Sequence, residues 1–500
     1  MPNAFAYIAL FSWPLVALLL FRGLSLPTAL VWTILSGYLF LPTLPQFDWP
    51  LMPNLSKDTM TSLSALTLCL LTVRRDKELL VTRLMREARA AGKRLAPRDI
   101  AGMIKPEYRK RVRWIIIGLI VMALLSPLLT VLTNRGPMIA ASTFRPGLGI
   151  KDAIQGFNSA LFALIPFFLA RRFLADTKDH ITILKTFCIL GFVYSLLVLF
   201  EARMSPQLNI KIYGYFPHSF RQHFRDGSWR AIVFLHHGLW VGVVMTATIL
   251  SAMTMMKHSP GAARLKYLLL VIWMIPVLIL SKNFGSLILG LLGAPFILST
   301  TRRVQIIAAG VIAAVVLIYP TMRGAGLIPT DFIHSKVEMV SAERAQSLNF
   351  RFTNEDLLLD KANRKPLFGW GGWGRSRVYD TVTGRDISTT DGLWVILIGT
   401  SGWFGYIAKF GLLCIPIIFI SFRPKAELDK VTAGLAIVLC ANLVDMMLNA
   451  TLTPLTWLIA GSLAGYAERA PVRVPEKAVV EAPPTPRFSR SPAVARRRTT

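Results

Sequence analysis

The sequence is poor in cysteine and in charge. Its four cysteines, Cys69, Cys188, Cys414 and Cys440, all lie inside apolar runs, which excludes an extracellular disulfide framework and a cysteine-ligated zinc cluster. Charged residues make up only 17% of the 500 residues, whereas 53% are hydrophobic. Soluble domains of this total length would not need so many apolar residues. The composition therefore predicts a polytopic membrane protein.

Acidic residues are also scarce, because 27 Asp and Glu stand against 56 Lys and Arg and leave a formal net charge of +29. In a membrane protein such an excess usually marks the cytoplasmic loops, which face an anionic leaflet. We therefore expect a lipid bilayer as partner and no nucleic acid. The sequence indicates no cofactor.

Apolar stretches recur along almost the whole chain, and their length is close to the roughly 20 residues that a helix needs to cross the hydrocarbon core. We predict an all-α fold, a transmembrane helical bundle of about 12–13 spans within residues 1–468. The predicted spans are residues 4–21, 24–45, 59–73, 114–133, 153–170, 181–200, 231–256, 267–281, 284–299, 304–320, 392–420, 431–449 and 453–468.

The placement of Lys and Arg predicts the orientation of these spans. Segment 74–113 carries fourteen basic residues, so the positive-inside rule makes it a cytoplasmic basic loop. Segment 469–500 is rich in Pro and Ala and ends in a run of arginines, which predicts a disordered basic tail on the same side. Further basic groups on that side begin at Arg171, Lys257, Arg302 and Arg423.

Three segments, 134–152, 201–230 and 321–391, are left for the outer side. The last has about 70 residues, ten of them basic and nine acidic, and is far longer than an ordinary connection. Apolar residues recur at helical spacing between 331 and 362, which predicts a large helical periplasmic loop along the outer surface. The alternative is a solvated helical lid without chemistry.

Glycine and tryptophan alternate in residues 369–374, beside Arg364. Such a backbone can approach an anionic group closely, and an indole can stack on a sugar face. We take Arg364, Gly369, Gly371 and Trp373 as candidate ligands of a phosphate-bearing or glycan substrate. The alternative is a tight turn with tryptophans anchored at the membrane interface.

Charged residues also stand where outer segments meet apolar spans. Arg230 precedes one span, and its guanidinium suits a diphosphate, although it could instead extend to the lipid headgroups. Asp391 precedes another span, as a helix cap or as a general base. Lys282 lies in a polar hinge on the outer side. His236 and His237 are adjacent and point to different sides of a helix, so we predict no metal site.

These residues, in this order, resemble the signature of the O-antigen ligase and polymerase superfamily of bacterial inner-membrane proteins. Members keep an arginine ahead of a Pro-x-x-Gly-x-Gly-x-Gly stretch, to which Arg351 and residues 366–374 are similar. A polar residue then precedes a Gly-x-x-Gly, as Asp391 precedes Gly402 and Gly405. The resemblance covers roughly residues 180–420.

The resemblance implies a metal-independent glycosyltransferase that takes a polyprenyl-diphosphate-linked glycan as donor at the periplasmic face of the inner membrane. It implies that Arg230 and Arg351 bind the diphosphate and stabilise it as it leaves. It also implies that Asp391 takes the proton of the acceptor hydroxyl. His236 and Lys282 match further family positions and would contact the same substrate.

Asp391 and Gly392 stand where ligases of the family carry His and Asn, which favours a polymerase of exopolysaccharide or O-antigen repeat units. A ligase acting on lipid A core or another acceptor remains the first alternative. A transporter or flippase is the second, and it would show discontinuous helices and ionisable groups deep in the bilayer, where Lys409 and Asp445 are the chief examples. We interpret Asp445 as a contact between helices. For a scaffold, loop 74–113 would be the docking site for other polysaccharide-assembly proteins.

Overall fold

The computed structural model describes residues 1–72, 108–225, 227–339 and 341–469. It is 72% helical, and the part of the chain it describes contains nine helices that are long and apolar enough to cross a membrane. The predicted fold class, an all-α polytopic bundle, is confirmed. Most of the basic loop 74–113 and all but the first residue of the tail 469–500 lie outside the described residues.

The helices are numbered in chain order. They are α1 (Ala4–Gly23), α2 (Leu26–Phe40), α3 (described over residues 57–72), α4 (Lys110–Leu132), α5 (Ile150–Ala163), α6 (Ile165–Phe173), α7 (Thr177–Met204), α8 (Leu208–Tyr213), α9 (Gly238–His258), α10 (Gly261–Leu280), α11 (Phe284–Ser299), α12 (Arg302–Gly324), α13 (Thr330–Glu338), α14 (Ala342–Asn363), α15 (Leu393–Ser421), α16 (Lys430–Leu448) and α17 (Pro454–Glu468). Two antiparallel hairpins complete the fold, β1 (Met138–Ala140) with β2 (Thr143–Arg145) and β3 (Phe224–Arg225) with β4 (Ser228–Trp229).

One predicted span begins later than the apolar pattern suggests. Residues 231–256 read as one continuous run, but α9 starts at Gly238 and the residues before it are not helical. The carboxylate of Glu201, at the end of α7, accepts the backbone N–H groups of Ile232 and Val233 at 2.9 and 2.7 Å. Buried amides need an acceptor, so this side chain takes the place of the missing helical hydrogen bonds.

The basic groups predicted to share one side of the membrane do lie at one end of the bundle. Arg171 pairs with Glu468 at 2.6 Å, and Arg303 donates to the carbonyl of Arg423 at 2.7 Å. Arg423 itself donates to three carbonyls at the C-terminal end of α17. We call this the basic end.

Two of the three outer segments, 134–152 and 321–391, meet at the other end, which we call the site end. Lys365 donates to the Asn134 side chain at 2.7 Å, and Arg375 donates to the carbonyls of Gly136 and Pro146 at 3.1 and 2.7 Å. The long segment carries two helices, α13 and α14, as the sequence predicts. Helices α9 and α16 are the most buried of the nine candidate spans, so their termini at the site end lie near the centre of the bundle.

Candidate functional site

Arg351 and Asp391 face each other at the site end. Arg351 stands in the middle of α14, and its Nε lies 3.6 Å from Oδ2 of Asp391, just before α15. Its Nη1 donates to the Leu448 carbonyl at 3.1 Å and to Oδ1 of Asn449 at 3.2 Å, both at the end of α16. Three elements therefore fix one guanidinium. The structure brings together two of the three predicted catalytic residues.

Asp445 connects this pair to Arg230. Its carboxylate accepts hydrogen bonds from Asn449 at 3.0 Å and from Thr451 at 2.7 Å, and the residue is 4% exposed. Arg230 and Arg351 are both close enough to act on its charge. Both bonds are to residues just after its own helix α16, and not to another helix as the sequence analysis expects. The carboxylate also gives two distant arginines a common counter-charge.

Arg230 and Arg351 differ in their access to solvent. Arg230 is 2% exposed, and its side chain packs over Gly238, where a Cβ atom would lie 2.5 Å from its Nε. Arg351 and Asp391 have side chains that are 25% and 38% exposed. Arg351 and Asp391 are therefore accessible from solvent, whereas Arg230 is enclosed by protein.

Gly392 has a packing role beside Asp391. A Cβ atom at this position would lie 2.5 Å from the carbonyl oxygen of Met447, close to the Leu448 carbonyl that Arg351 contacts. Only glycine lets the start of α15 approach the end of α16 this closely. This contact requires a glycine at position 392.

Glu355 belongs to the site, and the sequence analysis does not identify it. It lies one turn after Arg351 on α14 and is 3% exposed. Its Oε1 accepts from the Trp394 indole at 3.3 Å, and its Oε2 lies 3.8 Å from Nε of Arg323. Burial raises the pKa of Glu355 to about 7, against the opposing effects of Trp394, Arg323 and Arg351. Because it is buried, Glu355 positions α14 against α15 and does not reach a substrate.

The glycine run packs on a break in α15. Gly402 has φ 64° and ψ −171°, so the helix is interrupted there. The two segments are joined by backbone hydrogen bonds from Trp403 to Pro366 (2.7 Å), from Phe404 to Leu367 (3.1 Å), from Trp370 to Gly399 (2.8 Å) and from Gly371 to Thr400 (2.9 Å).

These bonds correct the role predicted for the run. The amide of Gly371 is occupied by the broken helix, and the amide of Gly369 donates to the Lys365 carbonyl at 3.1 Å, so neither is available to an anion. Gly369 has φ +67°, and a Cβ atom on it would lie 2.6 Å from the amide nitrogen of Gly402. The glycines are needed for close backbone approach, as the sequence analysis predicts, but the backbone that they approach is that of α15 and not a ligand.

Trp373 and Arg364 remain accessible. Trp373 is 65% exposed and its indole donates to Asp152 at 3.0 Å, while Arg364 is exposed just after α14. Trp373 stands at a cavity of about 410 Å³ between α4, α5, α15 and α17. Lys409, in the middle of α15, also lines it, and none of the described residues gives its ammonium group a hydrogen bond or an ion pair. Other polar residues of the lining are Gln155, Ser159, Thr400 and Ser401.

The two weaker sequence candidates lie at the same end as Arg230. His236 is in the non-helical stretch before α9, and burial, with a contribution from Lys57, lowers its pKa to about 4. It is therefore neutral at physiological pH and adds no charge for a diphosphate. Lys282 lies in the turn between α10 and α11, and its neighbour Asn283 donates to a carbonyl in the first turn of α9 at 3.2 Å.

The structure also groups three histidines. Ligand atoms of His218, His223 and His237 all lie within 4.8 Å of one another. The sequence analysis predicts no metal site from His236 and His237 alone and does not consider His218 and His223. The β3–β4 hairpin separates His223 from His237 in sequence and folds back to bring them together, so no short spacing motif signals the cluster.

Comparisons with known proteins do not assign a family: no protein-family model and no curated protein matches the chain.

Gly402→Ala should lower the apparent melting temperature of the purified protein. The added Cβ would lie 2.5 Å from the amide nitrogen of Phe368, and a backbone with φ 64° and ψ −171° is essentially restricted to glycine and costs another residue about 1–3 kcal/mol. Gly372→Ala is the matched control, because a Cβ atom there meets nothing within 4 Å. Equal melting temperatures for the two variants, measured by differential scanning fluorimetry in detergent, would contradict the packing argument.

The raised pKa of Glu355 predicts a dependence of stability on pH. A carboxyl with a folded-state pKa of about 7 stabilises the fold fully below its unfolded value near 4.5, and this contribution is lost as pH rises towards 7. We expect the melting temperature of the native protein to fall between pH 5 and pH 7 relative to that of Glu355→Gln, which cannot ionise. Asp331→Asn, an exposed carboxyl on α13, should follow the native profile. Parallel profiles for the native protein and Glu355→Gln would refute the assignment.

Proposed function

We propose that the protein is an inner-membrane glycosyltransferase that polymerises polyprenyl-diphosphate-linked oligosaccharide repeat units at the periplasmic face. One observation carries the proposal: Arg351 pairs with Asp391, and the charges of Arg351 and Arg230, far apart in sequence, both act on the buried Asp445 at the site end. The positive-inside rule puts the basic end in the cytoplasm and therefore the site end in the periplasm. A lipid-linked donor would meet the site there.

The donor diphosphate would bind first to Arg351. Among the described residues, the carboxylate in direct contact with this guanidinium is that of Asp391, whose Oδ2 lies 3.6 Å from its Nε. A diphosphate carries more negative charge and more acceptor oxygens, and the planar fork of arginine matches its geometry. The diphosphate would therefore displace Asp391 from Arg351, while the buried charge of Arg230 adds to the attraction.

Displacement gives Asp391 its chemical role. Once released from Arg351, its carboxylate accepts the proton of the acceptor hydroxyl as that oxygen attacks C1 of the donor sugar. The bond between C1 and the diphosphate oxygen breaks, and the leaving diphosphate keeps the electron pair, which the two guanidinium groups stabilise. A single displacement of this kind inverts C1, and it places no metal ion in the reaction.

The decisive experiment uses purified protein in liposomes with a polyprenyl-diphosphate oligosaccharide. A ladder of longer lipid-linked glycans supports the polymerase. A single transfer to lipid A core supports the ligase alternative. If the substrate stays chemically unaltered in both leaflets of the liposomes, and also when the acceptor is present, glycosyl transfer is refuted altogether.

Variants should separate binding from chemistry. Asp391→Asn should lower kcat by about 100-fold or more, the usual share of a general base, but should not weaken donor binding, because Arg351 loses a competitor. Arg351→Ala should weaken donor binding by about 10- to 100-fold, as expected for lost hydrogen bonds to a charged group. Arg351→Lys should restore little of it, because a point charge cannot replace the fork.

Arg385→Ala and Asp331→Asn are the controls for these variants. Each removes a charge from an exposed position in the same outer segment, and neither should change kcat or donor affinity. A normal kcat for Asp391→Asn would eliminate the general-base role. Normal donor binding by Arg351→Ala would eliminate the diphosphate site.

The transporter alternative also has support. Helix α15 is discontinuous at Gly402, the chain before α9 is unwound, and Lys409 lines a cavity of about 410 Å³. Transport sites commonly combine broken helices with an ionisable group deep in the bilayer. In the same liposomes, movement of intact substrate between leaflets that is lost in Lys409→Met would support transport over glycosyl transfer.

A further inference from the structure

Three histidines surround the segment that carries Arg230. His218 follows α8, His223 ends a short 3₁₀ turn that covers Phe220–His223, and His237 is the N-cap of α9. Their rings approach one another with centroid separations of 4.8 to 5.7 Å. The three come from different local elements, so their meeting is a property of the fold and not of a repeated sequence.

His237 already uses one ring nitrogen in a hydrogen bond. Its Nδ1 accepts the backbone N–H of Leu239 at 3.1 Å, as an N-cap side chain does. A neutral ring with this bond carries its proton on Nε2 and its lone pair on Nδ1. A metal ion would therefore bind Nδ1 in place of the Leu239 N–H, and the N–H at Nε2 would stay as the donor that a histidine ligand usually keeps.

We propose that His218, His223 and His237 bind one Zn²⁺ ion. Three imidazoles suit zinc and related transition metals and do not suit Mg²⁺ or Ca²⁺, which prefer oxygen ligands. Tetrahedral coordination with bonds of 2.0–2.1 Å needs nitrogens about 3.3 Å apart, whereas the ligand atoms here lie within 4.8 Å. His218 is exposed, so its side chain can move towards the other two rings when a metal ion binds.

The ion would position Arg230. The carbonyl of His223 accepts the backbone N–H of Arg230 at 2.7 Å, and Gly238, next to His237, packs against the Arg230 side chain. A metal ion bound by His223 and His237 would link the chain before Arg230 to the chain after it. Arg230 is thereby held towards Asp445. This consequence for catalysis rests on the proposed function, whereas metal binding itself does not.

Metal content tests the site directly. The full-length protein, purified in detergent without a histidine tag, loaded with Zn²⁺ and dialysed, should retain about one ion per chain by mass spectrometry, as expected for a specific site. His218→Ala, at an exposed position, and His237→Asn, which keeps a capping side chain, should retain at least tenfold less. His334→Ala, a histidine of α13 outside the cluster, should bind as the native protein does.

Thermal stability gives a second measurement. A ligand that binds only the folded state raises its stability, so a chelator should lower the melting temperature of the native protein by several degrees. Added Zn²⁺ should restore it and Mg²⁺ should not, and His218→Ala should not respond to either.

Equal zinc content in the native protein and in both cluster variants would overturn the proposal, as would a native protein that retains no zinc after dialysis. Neither measurement uses a glycan. Failure of the metal site therefore leaves the glycosyltransferase proposal standing, and failure of glycosyl transfer leaves the metal site standing.

Discussion

The candidate site depends on the ionic interaction at Asp445. This carboxylate lies at the end of a central helix, where Asn449 and Thr451 hold its oxygens and where Arg230 and Arg351 supply opposite charge. A buried carboxylate is costly unless it is paired and hydrogen-bonded. The charges of two arginines on separate outer segments therefore act on one buried carboxylate. Arg351 also pairs with Asp391, and this second pair is accessible to solvent.

Much of the fold could be predicted from the sequence. Apolar length, basic clusters and the long mixed-charge segment give the helical bundle, its two ends and the helices α13 and α14. The start of α9 could not be predicted, because Ile232 and Val233 are as apolar as a helical span requires. Their amides bond instead to Glu201, a contact with another helix that local pattern does not reveal.

The site shows the same limit. Arg351 and Asp391 can be selected as charged residues at suitable positions, but their contact beside the end of α16 depends on tertiary packing, which the sequence does not show. Glu355 looks like any charged residue of an amphipathic helix until α15 buries it. The glycine run is recognisable as a place of close backbone approach, yet the sequence does not say that the partner is α15. Sequence motifs do not reveal long-range pairings of this kind.

The pairing between the glycine run and the break in α15 also constrains chain length. Residues 366 and 367 bond to 403 and 404, while residues 370 and 371 bond to 399 and 400. The glycine run and the broken helix therefore pair in a fixed register. One residue inserted between the two pairs of bonds on either side would leave half of them unmatched. Outer connections elsewhere can lengthen over evolutionary time, because they only need to span a gap. The segments 366–371 and 399–404 must instead keep their number of residues, because they are bonded to each other residue by residue.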